Sequence, residues 1–276
     1  MQHFIGLGVA GNFAGHLEQA GEAADFANVK TADDIQPKAI FPFYVPSSHL
    51  SNETTFLNCH PLSSDRIQCP KDADNLQIEP EIALICQIKY QQNRVVKLTP
   101  THFAAYNDCS IRRPNAKKIS EKKNWGANSK GISATHIPLD HFNLNGTLDQ
   151  YHIVCFHKRN QQLNQYGIDS PALGYNYFHQ KLLDWIIDRM NNQKDEGPMN
   201  NISELLAQAN YPTQAIISIG ATRYTEFGEQ HFLQAGDTSI VVVYNARQHN
   251  LQDITLMAQQ EHFQGDLSAL IQTITP

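Results

Sequence analysis

Two glutamates separated by one residue, Glu79 and Glu81, directly precede the apolar run Ile82-Ala83-Leu84-Ile85. Because side chains alternate along a strand, both carboxylates point to the same face if this segment is a strand. Like charges on one face repel each other unless a cation lies between them. A hard divalent cation such as Mg²⁺ or Mn²⁺, which prefers oxygen ligands, would satisfy both. The spacing alone also fits an exposed strand end whose glutamates pair with lysines.

A third carboxylate, Asp108, lies in the segment Ala104-Ala105-Tyr106-Asn107-Asp108-Cys109, which is too apolar for a solvated loop. A buried aspartate is rare unless it is paired or ligates a metal. It could instead cap the following turn, with Arg112 as its salt partner. Taken with Glu79 and Glu81, Asp108 favours a divalent-metal site.

The order of these motifs resembles the fumarylacetoacetate hydrolase superfamily: E-x-E, then N-D-x-S-x-R, then W-x-x-x-x-K-G, which ends at Lys130-Gly131. The segment from Gly8 to His16 resembles the early G-x-N-Y-x-x-H segment of that family, whose histidine belongs to a lid over the metal. Two later stretches, residues 216–222 and 232–237, resemble its T-G-T-P and F-L-x-x-G-D segments. The resemblance covers residues 4–245 and indicates a divergent branch.

The resemblance implies a role for each matched residue. Glu79, Glu81 and Asp108 would ligate Mg²⁺ or Mn²⁺, and Lys130, which base rates alone would place on the surface, would face the substrate. His16 would be the general base. The implied substrate contacts are Asn12, Arg112 and Thr222.

The chain departs from the family pattern around the substrate. Gln19 stands where many members have a glutamate that orients the histidine, and a glutamine cannot stabilise an imidazolium by charge. Val45 stands where many have a lysine before the proline, and Gly220-Ala221 replaces a Gly-Thr pair. Metal binding is therefore expected more firmly than hydrolytic chemistry.

The function that the resemblance implies is a metal-dependent hydrolase or lyase acting on a small keto acid or 1,3-dicarbonyl compound. C–C bond hydrolysis of the acylpyruvase kind comes first. The alternatives are a decarboxylase, isomerase or hydratase of the same fold, or a non-catalytic protein that binds a metal or metabolite. Homodimerisation is also implied.

Composition narrows the possible partners and locations. The 276 residues carry a net charge of -6 and no long basic run, which argues against nucleic acid or a membrane as the main partner. The basic cluster from Arg112 to Lys123 reads either as a solvated loop or as part of the site. No apolar run approaches a membrane span, and the first residues lack the features of a signal peptide. Five cysteines without a CxxC pair predict a reduced, cytoplasmic protein.

The segment from Gly6 to Gly11 matches GxGxxG, with Asp33 and Asp34 near the position of a ribose-binding acid. A dinucleotide-binding oxidoreductase is therefore a further hypothesis. However, the sequence after this segment does not show the alternating strands and helices that such a fold requires. The glycines are better explained by a tight turn and a close approach of the backbone.

The predicted class is α+β, mainly β, and the resemblance adds a mixed β-roll or barrel core with peripheral helices. One domain is expected over residues 1–276, with residues 1–60 as an N-terminal lid segment and residues 61–276 as the β-rich catalytic core. Strands are predicted at residues 4–8, 76–88, 95–98, 151–157, 215–220 and 238–244. Helices are predicted at residues 13–26, from Thr99-Pro100 onward, and at residues 175–190, 202–210 and 267–274.

Overall fold

The computed structural model describes residues 1–26, 29, 31–70, 75–113 and 116–276. Within them the strands are Ile5–Ala10 (β1), Ala39–Tyr44 (β2), Leu62–Ser63 (β3), Arg66–Gln68 (β4), Leu76–Gln77 (β5), Pro80–Gln91 (β6), Arg94–Asn107 (β7), Ser110–Ile111 (β8), Lys130–Ile132 (β9), Ile137–Pro138 (β10), Tyr151–Arg159 (β11), Gln162–Pro171 (β12), Gln214–Ser218 (β13), Thr238–Asn245 (β14) and Leu267–Thr275 (β15). The α-helices are His16–Gln19 (α1), His179–Asn192 (α2), Ile202–Gln208 (α3), Glu226–Gln230 (α4) and Leu251–Gln260 (α5).

Two sheets enclose the main hydrophobic core. The larger has the order β2-β1-β13-β6-β7-β9-β3, with β10 beside β7, and the smaller has the order β12-β11-β14-β15-β4. Strand β1 runs parallel to β13, whereas β6 pairs antiparallel with both β13 and β7. The main core cluster contains residues from both sheets, for example Leu7 and Val241. The curled sheet with peripheral helices confirms the predicted fold class.

The long helix α2 lies on the outside of this core because only one of its faces is apolar. Leu182, Trp185, Ile186 and Met190 recur at helical spacing and are all buried. The predicted helix at 175–190 is therefore present, although it begins at His179. Helix α3 also matches its prediction, and the Asn201 side chain accepts a hydrogen bond from the Glu204 backbone N–H, as a helix N-cap does.

Two predicted helices are wrong. The segment that begins at Thr99-Pro100 belongs to strand β7, where a register shift between Ile85 and Cys86 places Pro100 opposite Cys86. A bulge of this kind tolerates a proline, which has no N–H to donate. Residues 267–275 form β15, which pairs with the valine-rich β14 along its length. Pairing with a neighbouring strand overrides local helical propensity.

The predicted helix at residues 13–26 is interrupted. Helix α1 covers only His16–Gln19, and a 3₁₀ turn follows at Ala23–Phe26. Gly21 has φ +70° between them, a left-handed conformation that ends helices. Helix α5 and strand β12 were not predicted from the sequence.

Part of the predicted lid segment lies in the core. Strands β1 and β2 are paired neighbours in the larger sheet, and β1 also pairs with β13. Residues 5–10 and 39–44 therefore contribute to the sheet, and the proposed division at about residue 60 stays a prediction. Among the described residues, no helix is long and apolar enough to cross a membrane.

The glycines of β1 allow aromatic rings to lie against the strand. A Cβ atom added at Gly6 would come within 2.2 Å of the Phe43 ring, and one at Gly8 within 2.2 Å of the Phe41 ring. Strand β1 is followed by a four-residue helix and an antiparallel partner. This arrangement matches the predicted close approach and differs from a dinucleotide-binding unit.

We expect Gly6→Ala to lower the free energy of unfolding by about 1–3 kcal/mol, because the new methyl group overpacks a buried ring. Urea denaturation monitored by circular dichroism would measure the loss. The same substitution in a Phe43→Leu background should cost clearly less. An equal cost in both backgrounds would contradict the ring-packing explanation.

Candidate metal centre

The three predicted metal ligands meet at one end of the β6–β7 hairpin. Glu81 lies on β6 opposite Tyr106, while Glu79 directly precedes β6 and Asp108 directly follows β7. The backbone N–H of Asp108 donates to the carbonyl oxygen of Glu79 at 2.9 Å. One oxygen from each carboxylate lies within 4.8 Å of the others, and the three residues are at most 3% exposed. Antiparallel pairing thus brings together acids that are 27 to 29 residues apart in the chain.

The chemistry of this donor set fits a hard divalent cation. Glu79 Oε1 and both carboxylate oxygens of Asp108 are buried, and among the described residues they contact cationic side chains but no neutral hydrogen-bond donor. Glu81 Oε2 accepts only the Gly220 N–H, at 2.8 Å, among the same residues. Burial raises the pKa of Glu81, and the charges of Asp108 and Glu79 raise it further. Burial also raises the pKa of Asp108. An all-carboxylate set of this kind would hold Mg²⁺ or Mn²⁺.

Lys123 provides a positive charge in this cluster, and sequence analysis did not assign it a role. Its Nζ atom lies 2.6 Å from Glu79 Oε2 and 2.6 Å from Asp108 Oδ2, and the residue is 3% exposed. It also lies 5.1 Å from the centre of the Phe41 ring. No residue type or spacing in the sequence distinguishes Lys123 from the neighbouring lysines.

All three nitrogen atoms of the Arg112 guanidinium contact protein groups. It lies 2.7 Å from Glu79 Oε1 and 2.8 Å from Glu22 Oε1. It also donates to Gln77 Oε1 at 2.6 Å and to the Tyr224 hydroxyl at 2.9 Å. The suggested salt bridge from Arg112 to Asp108 is therefore replaced by pairs with two glutamates.

The basic cluster is divided: Lys122 and Lys123 are buried at the site, whereas Arg113 and Lys117 are exposed to solvent. Lys122 pairs with Asp25 at 2.5 Å and with Glu22 at 3.3 Å, and it is 6% exposed. Pro114 and Asn115 in this cluster lie outside the described residues. Sequence analysis also missed the role of Glu22, which α1 would have carried on its surface had the helix continued past Gly21.

Lys130 lies behind Asp108, away from the cavity lining of the described residues. Its Nζ atom donates to the carbonyl oxygens of Asp108, at 3.0 Å, and Cys109, and it lies 3.4 Å from Asp108 Oδ1. The residue is fully buried, and burial lowers the pKa of its ammonium group. These contacts hold the turn that carries Asp108. The structure therefore brings Lys123, not Lys130, to the cavity.

His16 faces the carboxylates with a defined tautomer. Its Nδ1 atom lies 2.9 Å from the carbonyl oxygen of Thr222. A carbonyl oxygen only accepts, so Nδ1 carries the proton and Nε2 keeps its lone pair. Burial lowers the pKa of His16 to about 4. The residue lines a cavity with Glu79, Glu81 and Lys123.

The Gln19 side chain hydrogen-bonds to the backbone of Tyr224, whereas the family pattern has a side chain at this position that orients the histidine. Its side chain donates to the Tyr224 carbonyl oxygen at 3.1 Å and accepts from the Tyr224 N–H at 2.9 Å. The backbone carbonyl of Thr222 orients His16 instead. Gln19 thus ties α1 to the segment after β13.

Asn12 and Thr222 are the other two residues that were predicted to contact the substrate. The Asn12 amide is used by the backbone: it donates to Tyr177 O at 3.0 Å and Ile219 O at 2.8 Å, and it accepts from the Tyr177 N–H at 2.8 Å. Thr222 is buried, and its hydroxyl finds no hydrogen-bond partner in the part of the chain that the structure describes. Val45 is fully buried. Asn12 therefore supports the backbone, and the contact of Thr222 with a substrate stays a prediction.

The cavity between these groups is small. Its volume is about 20 Å³, which accommodates a single water molecule. Phe41, Ile119 and Ala221 form apolar walls, and Glu22 lies in the lining with His16. The space is sufficient for an ion or a water molecule but not for a dicarbonyl substrate.

The comparisons with known proteins agree on the fold. Residues 22–274 match a family described as "Family of unknown function (DUF5718)". The structure titled "Crystal structure of Cg1458 with inhibitor" is 13% identical, with 98% of this chain and 76% of that chain covered and a TM-score of 0.57. The apo form of 2-keto-3-deoxy-D-arabinonate dehydratase is 12% identical, with 98% and 72% covered and a TM-score of 0.53.

A 5-carboxymethyl-2-hydroxymuconate delta-isomerase from Mycobacterium smegmatis is 14% identical, with 98% of this chain and 78% of that chain covered and a TM-score of 0.52. No curated protein sequence matches this chain. These structural neighbours are fumarylacetoacetate hydrolase superfamily proteins. The predicted fold is therefore confirmed, and at these identities the likeness shows the fold alone.

Replacing Glu79 or Glu81 by glutamine should change the free energy of unfolding by very different amounts in EDTA at pH 7. Burial opposes ionisation of Glu79, but Lys123 and Arg112 outweigh it and lower its pKa well below the usual value. Glu79→Gln takes one carboxylate partner from each of two buried cations, Lys123 and Arg112, and should cost about 3–5 kcal/mol. Glu81→Gln removes a carboxylate whose raised pKa favours the neutral form, so it should change stability by less than about 1 kcal/mol. Equal losses in urea denaturation would contradict this distinction.

Proposed function

We propose that the chain, which belongs to the family of unknown function DUF5718, is a divalent-metal-dependent enzyme acting on a small keto acid or 1,3-dicarbonyl compound. One observation carries the proposal: Glu79, Glu81 and Asp108 converge within 4.8 Å beside a histidine with a free basic nitrogen. A keto-acid dehydratase and a hydroxymuconate isomerase have the same fold, which supports this substrate class.

Each residue then has a definite task. Glu79, Glu81 and Asp108 would hold Mg²⁺ or Mn²⁺, which, when bound, polarises a carbonyl group as a Lewis acid. His16 is neutral at pH 7 because burial lowers its pKa to about 4. Its Nε2 atom would accept a proton from water as the general base in C–C bond hydrolysis. The Thr222 carbonyl oxygen keeps the ring oriented.

A decarboxylase, isomerase or hydratase is the second candidate, and the surroundings of His16 favour it. The Thr222 carbonyl oxygen carries no net charge, and Gln19 is held by the Tyr224 backbone. A protonated His16 therefore has a neutral carbonyl oxygen at Nδ1, where the family pattern leads one to expect a carboxylate. In a reaction that returns the proton to the substrate, the His16 imidazole would be positively charged for a shorter time than in a reaction in which it deprotonates water.

Glu81→Ala should weaken Mn²⁺ binding at least about 100-fold, because even outer-sphere residues typically contribute 10- to 100-fold to metal affinity. Isothermal titration calorimetry would measure the dissociation constant. Glu18→Ala is the matched control, since Glu18 is exposed on α1 and its loss should leave the affinity unchanged. Unchanged Mn²⁺ affinity in Glu81→Ala would show that the site is misassigned.

A panel of acylpyruvates and oxaloacetate, assayed with Mg²⁺ and Mn²⁺, tests turnover and separates hydrolysis from decarboxylation by the products. For any substrate that reacts, His16→Ala should lower kcat by about 10²- to 10⁴-fold, the usual contribution of a general base. The Mn²⁺ dissociation constant should stay unchanged. Tight oxalate binding without turnover of any panel member would instead support a non-catalytic binding protein.

Homodimerisation, implied by the family resemblance, stays a prediction. Light scattering coupled to size-exclusion chromatography tests it directly.

A further inference from the structure

We propose that Lys123 is an internal counter-ion that occupies the place of a divalent cation between Glu79 and Asp108 and must leave it before a metal binds. The inference rests on the proposed metal site. It goes further because it gives this chain a lysine that competes with the metal for the same carboxylates.

The geometry makes the two cations mutually exclusive. The Lys123 ammonium lies 2.6 Å from Glu79 Oε2 and 2.6 Å from Asp108 Oδ2. A divalent cation held by Glu79 and Asp108 would lie close to that nitrogen, because each carboxylate already has an oxygen 2.6 Å from it. Two positive charges this close together repel strongly in a buried site, where screening by water is weak.

Of the two cations that contact Glu79, the Lys123 ammonium is better able to move than the Arg112 guanidinium. Arg112 is fixed by four protein groups, namely Glu79, Glu22, Gln77 and Tyr224. Lys123 contacts only the two carboxylates and the face of the Phe41 ring among the described residues. A lysine carries its charge at the end of a flexible four-carbon stem, so the ammonium can leave without moving the backbone.

A destination for the displaced ammonium lies in the same cavity. Glu22 and Lys123 both belong to its lining. The Glu22 carboxylate already accepts from Arg112 at 2.8 Å and lies 3.3 Å from Lys122 Nζ. Because a carboxylate offers about four lone-pair positions, it can accept one more donor.

The experiment compares Mn²⁺ binding by the full chain and by Lys123→Met, using isothermal titration calorimetry. The variant keeps the length and apolar stem of the side chain but removes the competing charge. Its Mn²⁺ affinity should be at least 10-fold higher than that of the unmodified chain. Lys97→Met is the matched control, since Lys97 is exposed on β7 and its loss should not change the affinity.

Thermal unfolding provides an independent readout. In EDTA, Lys123→Met should unfold at a lower temperature than the unmodified chain, because Glu79 and Asp108 lose their counter-ion. Saturating Mn²⁺ should restore more stability to this variant than it adds to the unmodified chain. Lys123→Gln, which keeps a hydrogen-bond donor without the charge, provides the same comparison if Lys123→Met does not fold.

The outcomes separate this inference from the proposed function. Equal or weaker Mn²⁺ affinity in the Lys123 variants, with clear binding by the unmodified chain, overturns the competition and leaves the metal site standing. If neither the unmodified chain nor any Lys123 variant binds Mn²⁺, the metal site itself is wrong. Tighter binding confined to the Lys123 variants supports the inference.

Discussion

Charge neutralisation in a buried space is the constraint on which this site depends. Three carboxylates at the end of the β6–β7 hairpin are almost fully withdrawn from solvent. An unpaired buried charge costs several kcal/mol, so the fold has to bring cations to them. Lys123, Arg112 and Lys130 meet this need from segments outside the hairpin. The same ion pairs that make the site possible therefore fasten the surrounding segments to the sheet.

The N-terminal part of the chain is built into this arrangement. Strand β1 pairs with β13, and the segments that follow these two strands meet over the carboxylates. There the Thr222 carbonyl oxygen orients His16, and Gln19 bonds to both backbone groups of Tyr224. Gln19 therefore joins two segments of the chain and does not orient the histidine. His16 stays oriented because a backbone group takes over.

The fold itself leaves the reaction open. Proteins of the same fold include a dehydratase and an isomerase, and one fold can host many chemistries because function depends on the groups in the site. In this chain the distinguishing groups are the apolar walls from Phe41, Ile119 and Ala221 and the Lys123 ammonium among the carboxylates. These groups, more than the acidic residues, separate the chemical alternatives.

The sequence by itself determined the acidic residues, the strand that carries Glu81 and the class of fold. Glu79 and Glu81 show the period of a strand, and Asp108 lies in an apolar setting, so the shared face and the burial follow from local pattern. Their convergence depends on the antiparallel pairing of β6 and β7. Local pattern gave wrong predictions where pairing between strands determines the conformation. Pro100 and residues 267–275 were predicted to be helical, but neighbouring strands hold them extended.

Only the tertiary structure decided which lysine reaches the carboxylates. Lys123 and Lys130 lie seven residues apart in a polar stretch, and nothing in residue type or spacing distinguishes a lysine that enters a site from one that supports it. The short 3₁₀ turn at Ile119–Lys122 directs Lys123 inward, while β9 places Lys130 behind Asp108. Side-chain direction at such positions depends on contacts between distant segments, which a single sequence does not show.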